Sequence, residues 1–153
     1  MLTMNAQQLR DMFLFVAHRL VDSEDFLTEI DIKIGDGDHG MNMNKGFTVF
    51  EDRFRDEDIS FTEGLDELGM ILLNEIGGSM GPIYGTIFMD MAEAGEDLDE
   101  ISAADFAEML EAGLNGLYGI VDARVGDKTL VDTLSPAVDV MKKAGETGQD
   151  FKE

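Results

Sequence analysis

The chain has 153 residues, of which 44% are hydrophobic, so it is long enough to bury a core within one domain. Its 33 acidic and 11 basic residues give a formal net charge of −22, which excludes a nucleic-acid binder because such proteins need a basic surface. The absence of cysteine excludes disulfides and thiolate metal sites. No apolar run is long enough to span a bilayer, and residues 1–20 do not have the pattern of a signal peptide, so we expect a cytoplasmic protein without a membrane partner.

Helical periodicity dominates the chain from its first residues onward, and few stretches alternate as strands do. Ser60 with Glu63, and Ser102 with Asp105, have the spacing of capping boxes and predict two helix starts. The apolar positions at helical spacing are Leu9, Met12, Phe13, Val16 and Leu20; Leu65, Leu68, Ile71, Leu72 and Ile76; and Phe106, Met109, Leu110, Leu114 and Leu117. We therefore predict an all-α fold, a closed bundle of about seven helices joined by short loops, that forms a single domain over residues 1–153.

The densest cluster of polar residues is the glycine-rich segment from Ile34 to Asn42, which reads IGDGDHGMN. Asp36 and Asp38 are two residues apart, so their side chains share a side in an extended segment, and Asp31 lies just upstream. Three clustered carboxylates repel one another unless a cation lies between them, and oxygen ligands favour Mg²⁺ over zinc. Because Mg²⁺ keeps waters or phosphate oxygens among its ligands, the pattern indicates a phosphorylated ligand. The alternative is that the Asp-Gly repeats form turns only, but the neighbouring imidazole and amide favour a site.

Two further segments have the form of a glycine-containing loop followed by a helix. Gly77 to Pro82 precedes an apolar stretch from Ile83 to Met91, and a helix starting there would present free backbone N–H groups to an anion. A tight turn between helices explains the same residues equally well. In the third segment, Val125 to Leu130, we interpret Asp127 as a helix N-cap rather than as a ligand.

Three segments, in this order, resemble the nucleotide-binding L subunit of dihydroxyacetone kinases: residues 34–47 (IGDGDHGMNMNKGF), 77–85 (GGSMGPIYG) and 126–132 (GDKTLVD). The resemblance spans nearly the whole chain. It implies an antiparallel helical barrel that holds ADP or ATP at one end through two Mg²⁺ ions. The implied metal ligands are Asp31, Asp36 and Asp38. The implied nucleotide-binding residues are His39, Gly40, Met41, Asn42, Gly78, Ser79 and Met80, with Leu130 near the adenine.

The resemblance also implies what the chain does. Such a subunit has no substrate-holding residue of its own and delivers a phosphoryl group to dihydroxyacetone, which a histidine of a partner subunit holds covalently. The expected partners are this K-type dihydroxyacetone-binding subunit and a phosphohistidine carrier protein of the phosphotransferase system, although direct use of ATP stays open. Two alternatives to a kinase subunit are a non-catalytic, ADP-bound sensor that regulates a partner protein and a structural helical module whose glycines are only turns.

The chain departs from the family pattern at three places. Met80 stands where a serine is usual, and the glycine frequent near Val121 is absent. The sequence stops at Glu153, before two closing helices that normally carry a Gly-Arg-Ala-Ser segment and an Asp-Pro-Gly segment over the nucleotide. We therefore expect either a truncated chain or a naturally short member with a weakened nucleotide pocket.

Overall fold

The computed structural model describes residues 3–56, 59–149 and 151. Within these residues the chain forms seven α-helices and two short strands, which confirms the predicted all-α class. None of the helices in this part of the chain is long and apolar enough to cross a membrane. The elements are β1 (Thr3–Asn5), α1 (Ala6–Val21), α2 (Glu24–Asp31), α3 (His39–Asp56), α4 (Phe61–Glu75), α5 (Met80–Ala94), β2 (Glu100–Ser102), α6 (Ala103–Ile120) and α7 (Val131–Thr147).

Side-chain caps fix the starts of three helices. At α4, the Glu63 backbone N–H donates to Ser60 Oγ at 3.1 Å, and the Ser60 N–H donates to the Glu63 carboxylate at 2.7 Å. Ser102 and Asp105 exchange the same pair of hydrogen bonds at α6, so both predicted capping boxes are confirmed. Asn5 caps α1 in the same way, and this capping box was not predicted from the sequence. Each cap satisfies N–H groups that have no partner within the first turn of a helix.

Neighbouring helices run antiparallel in the order α1, α3, α4, α5, α6, α7, with α2 packed against the start of α3. The loops at residues 32–38, 76–79 and 121–130 therefore lie at one end of the bundle, and the β1–β2 ribbon lies at the other. Two contacts fix the direction of each pair of helices. They are Arg10 with Phe54 and Val21 with Asn44 for α1 and α3; Phe54 with Gly64 and Lys45 with Glu75 for α3 and α4; Gly69 with Gly85 and Leu72 with Gly81 for α4 and α5; Thr86 with Gly116 and Gly95 with Met109 for α5 and α6; and Ala104 with Gly145 and Glu111 with Lys142 for α6 and α7.

An aromatic cluster forms the centre of the core, where α1, α3, α4 and α5 meet. The ring of Phe13 lies 4.9 Å from that of Phe50, 5.5 Å from that of Phe61 and 6.4 Å from that of Phe88, measured between centroids. Phe50 also stacks on Phe54 at 4.9 Å, and both are 1% exposed. Each buried phenylalanine contributes roughly 1.5–3 kcal/mol through burial alone, so this cluster anchors the helices that carry the loop end.

Candidate metal and nucleotide site

Three carboxylates meet at the loop end of the bundle. Asp31 is the last residue of α2, Asp36 lies in the loop, and Asp38 immediately precedes α3. Each offers one oxygen, and these oxygens all lie within 4.8 Å of one another. Gly37 adopts a positive φ of 79°, which a residue with a side chain rarely adopts, and its N–H donates to Asp31 Oδ2 at 2.9 Å. The loop thus folds back onto α2 and brings together the three aspartates predicted as metal ligands.

The negative charges in this cluster repel one another. Partial burial raises the pKa of Asp38 above its ordinary value of 3.8, and the neighbouring Asp36 and Asp31 carboxylates raise it further. A hydrogen bond from the Asn42 side chain acts in the opposite sense, since it stabilises the charged form. A bound cation would relieve the repulsion between the carboxylates, and an all-carboxylate donor set suits a hard ion such as Mg²⁺. The residues present therefore fit a magnesium site.

The four residues predicted to follow the metal ligands form the first turn of α3. Asn42 faces back towards Asp38, as its hydrogen bond with that carboxylate requires. The His39 ring is half-buried and meets the ring of Tyr84 edge to face, with 6.2 Å between centroids. Gly40 is buried against α2, whereas Met41 is 57% exposed and faces away from the core. In this turn His39, Gly40 and Asn42 therefore hold the loop in place, whereas the Met41 side chain is open to solvent.

The second predicted loop leads into α5. Gly78 has a positive φ of 72°, and Ser79 is the N-cap of a helix that begins at Met80. The Ser79 hydroxyl makes no capping hydrogen bond, so N–H groups at the start of α5 are not satisfied by a side chain there. Tyr84, one turn further along, connects this helix to His39, and burial raises the pKa of its hydroxyl. Tyr84 could not be identified from the sequence, because its only signal is a tyrosine within an apolar helix.

The third segment is organised by a different aspartate from the one predicted. Asp127 accepts a hydrogen bond from the Arg124 N–H at 2.8 Å and does not cap α7, so its interpretation as an N-cap was wrong. Asp132, in the first turn of α7, accepts from the N–H of Gly126 at 2.6 Å and from that of Thr129 at 3.0 Å. These hydrogen bonds lower the pKa of Asp132. Leu130 is half-buried against the core at the loop end of the bundle, where the three aspartates also lie.

A separate cavity of about 930 Å³ lies between the first half of α4 and the second half of α5. It contains none of the predicted site residues. Its lining includes the acidic residues Glu63, Asp66, Glu67, Asp90, Glu93, Glu96 and Asp97. The aspartate cluster is therefore a surface site at the end of the bundle, separate from this cavity.

The sequence has clear similarities to known proteins. Residues 33–153 match the model of the DAK2 domain. The chain is 34% identical over 124 residues to the ADP-binding subunit DhaL of PEP-dependent dihydroxyacetone kinase 1 from Listeria innocua, covering 80% of this chain and 62% of that protein. It is 35% identical over 125 residues to the corresponding DhaL subunit from Escherichia coli, covering 80% and 59%. It is 32% identical over 118 residues to the ADP-binding subunit DhaL of the PTS-dependent kinase from Lactococcus lactis, covering 76% and 59%. The chain thus spans about three fifths of the length of these relatives.

Proposed function

Because the chain belongs to the DAK2 domain family, we propose that it is the nucleotide-binding part of a dihydroxyacetone kinase. Three relatives at 32–35% identity are named as ADP-binding subunits of such kinases. In this proposal the chain holds ADP or ATP at the loop end of the bundle and takes part in phosphoryl transfer to dihydroxyacetone or a related hydroxyketone. The observation that carries the proposal is the meeting of three carboxylate oxygens within 4.8 Å.

The proposed metal ligands are Asp31, Asp36 and Asp38, which would hold two Mg²⁺ ions. When bound, these ions would neutralise the negative charge on the phosphate oxygens during phosphoryl transfer. The protein contributes the fixed positions of its carboxylates, because the Gly37 N–H orients Asp31 and the Asn42 amide orients Asp38. With a net charge of −22 the chain has few basic side chains that could neutralise phosphate oxygens. A nucleotide can therefore approach the aspartate cluster only when bound metal offsets the repulsion between the negative charges.

The nucleotide contacts are proposed on the two neighbouring loops. His39, Gly40, Met41 and Asn42 would lie beside the phosphates, and Gly78, Ser79 and Met80 would present the N–H groups at the start of α5. Leu130 would contact the adenine through its exposed part. The acceptor is proposed to be held by a K-type partner subunit, with a phosphohistidine carrier of the phosphotransferase system as phosphoryl donor, in keeping with the PEP-dependent and PTS-dependent names of the relatives.

Thermal stability measured with ADP, with and without Mg²⁺, tests the nucleotide site. A ligand that binds only the folded protein at 100 times its Kd stabilises it by about 2.7 kcal/mol. For a domain of this size each kcal/mol raises the Tm by about 2–4 °C, so a rise of about 5–10 °C is expected with Mg²⁺ and ADP together. The absence of any shift at millimolar ADP and Mg²⁺ contradicts the proposal.

Variants that remove one negative charge test which residues are responsible for the Mg²⁺-dependent rise in Tm. Asp36→Asn and Asp38→Asn should remove the Mg²⁺-dependent shift without lowering the Tm of the free protein, because each variant removes repulsion from the cluster. Asp52→Asn makes the same change at an exposed position on α3, outside the proposed site, and should leave the shift intact. If Asp36→Asn and Asp52→Asn behave alike, the three aspartates are not the metal ligands.

Phosphoryl transfer separates the kinase from a sensor. The protein is mixed with a K-type subunit, dihydroxyacetone and either ATP or a phosphorylated carrier protein, and formation of dihydroxyacetone phosphate is measured. Product that depends on Asp36 supports the kinase. Nucleotide binding without product from either donor favours the non-catalytic sensor.

A further inference from the structure

The loop between α6 and α7 is held in a fixed shape by hydrogen bonds to its own side chains. The Asp132 carboxylate accepts from the N–H groups of Gly126 and Thr129, at 2.6 Å and 3.0 Å. The Asp127 carboxylate accepts from the Arg124 N–H at 2.8 Å, and the Arg124 guanidinium in turn donates to the Ala123 carbonyl at 2.8 Å. Two carboxylates thus determine the path of a segment that is otherwise exposed.

Lys128, within this loop, has an unfavourable backbone conformation. Its φ is 62°, and among the described residues it is the one non-glycine residue with a positive φ. A lysine in this left-handed region is strained, because its Cβ approaches the carbonyl oxygen that follows, whereas glycine and asparagine adopt the region more readily. The strain persists because the Asp132 hydrogen bonds fix the residues on both sides of Lys128. Such strain in a fixed loop points to a function for the side chain.

The charge of Lys128 is available for a ligand. Its side chain is exposed, and none of the ion pairs found between described residues involves it. By contrast, Lys45, also near the loop end, donates to the Glu75 carbonyl at 2.6 Å, and Arg124 lies over the Tyr118 ring at 5.1 Å. Lys128 is therefore a cation at the same end of the bundle as the aspartate cluster, in a chain with a net charge of −22.

We propose that Lys128 binds the phosphate tail of the nucleotide, and that Asp132 is a positioning residue that holds the turn which presents Lys128. This inference depends on the proposed function, since it assigns a further contact to the same nucleotide. An ammonium group stabilises phosphate oxygens through charge-assisted hydrogen bonds, and it would offset the repulsion that the acidic surface exerts on a diphosphate.

The test compares variants that differ in charge and in backbone preference. The Kd of ADP is measured by calorimetry in the presence of Mg²⁺ for the wild type, Lys128→Asn, Lys128→Arg and Lys143→Asn. Asparagine keeps the left-handed conformation without the charge, arginine keeps the charge, and Lys143→Asn removes one exposed charge near the opposite end of α7. Lys128→Asn should weaken ADP binding about tenfold, as expected from the loss of one hydrogen bond to a charged group.

Three further readouts exclude a merely structural effect. Lys128→Arg and Lys143→Asn should bind ADP as the wild type does. The Tm of Lys128→Asn without nucleotide should not fall below that of the wild type, because asparagine relieves the strain. The affinity of the wild type should also decrease more steeply with salt than that of Lys128→Asn.

Three outcomes overturn the inference and are distinguishable from one another. If the wild type binds ADP and Lys128→Asn binds it as tightly as Lys143→Asn does, Lys128 is not a phosphate ligand and the proposed function still stands. If the wild type binds no ADP with Mg²⁺, both proposals fail. Equal losses in Lys128→Asn and Lys128→Arg also contradict a role for the charge.

Discussion

Gly40 lies in the first turn of α3, where this helix packs on α2, and its replacement by alanine tests how the aspartate cluster is held together. An added Cβ at residue 40 would lie 2.1 Å from the Glu24 carbonyl oxygen and 2.2 Å from Thr28 Oγ1. Ordinary van der Waals contact begins at 3.4 Å, so α2 must move away from α3 by more than an ångström. Because Asp31 is the last residue of α2, this movement carries its carboxylate away from Asp36 and Asp38.

The size of the effect follows from the clash. Overpacking of this kind costs about 1–3 kcal/mol, against a gain of roughly 0.5–1 kcal/mol for alanine over glycine within a helix. The net cost is at most about 2.5 kcal/mol, so we expect the Tm of Gly40→Ala to fall by up to about 10 °C for a domain of this size. We also expect the Mg²⁺-dependent stabilisation by ADP to decrease strongly, since three carboxylates that now meet within 4.8 Å would no longer do so.

A matched variant separates the clash from the general effect of the substitution. Gly119 lies in α6, is exposed and has no atom within 4 Å of an added Cβ, so Gly119→Ala should raise the free energy of unfolding by about 0.5 kcal/mol. Both free energies are measured by urea unfolding, and nucleotide stabilisation by thermal melts. If Gly40→Ala retains the wild-type stability and the full effect of Mg²⁺ and ADP, contact between α2 and α3 does not position Asp31.

Two further predictions concern stability alone. Ser60→Ala removes the cap of α4 and should cost about 1 kcal/mol, or about 2–4 °C in Tm, whereas Ser79→Ala should change little because the Ser79 hydroxyl makes no capping hydrogen bond. An equal loss in both variants would argue against the cap. Asp132→Asn tests the α6–α7 loop through pH. Since folding lowers the pKa of Asp132 below 3.8, its carboxylate contributes stability above that pH, and the contribution is lost as the pH falls through the folded-state pKa. Melting curves should therefore show a lower Tm for Asp132→Asn at neutral pH and a difference that narrows below pH 3.8; a difference that stays constant with pH would contradict this explanation.

Features that depend on residues close in sequence could be predicted from the sequence. The capping pairs Ser60–Glu63 and Ser102–Asp105 lie within one helical turn, so their spacing alone specifies the hydrogen bonds. The aspartate cluster was also visible, because its members lie within eight residues of one another and glycine permits the turn between them. Whether the cluster binds metal and nucleotide stays a prediction.

Features that depend on distant partners, or on which of two nearby side chains the folded loop brings into reach, could not be predicted in this way. Tyr84 meets His39 only because α3 and α5 reach the same end of the bundle. Asp127 and Asp132 are both close enough in sequence to accept hydrogen bonds from the loop, and only the folded path of the loop decides that Asp132 takes the N–H groups of Gly126 and Thr129. The two strands escaped prediction because three residues are too few to show an alternating pattern.

The β1–β2 ribbon has a practical consequence for any experiment that immobilises or labels the protein. Thr3 pairs with Ser102 and Asn5 with Glu100, so strand pairing holds the first described residues beside the start of α6. That start faces away from the glycine loops, since α6 leads from it to the loop at residues 121–130. A surface linker or fluorophore attached at Thr3 therefore lies on the far side of the molecule and leaves the aspartate end open to small molecules.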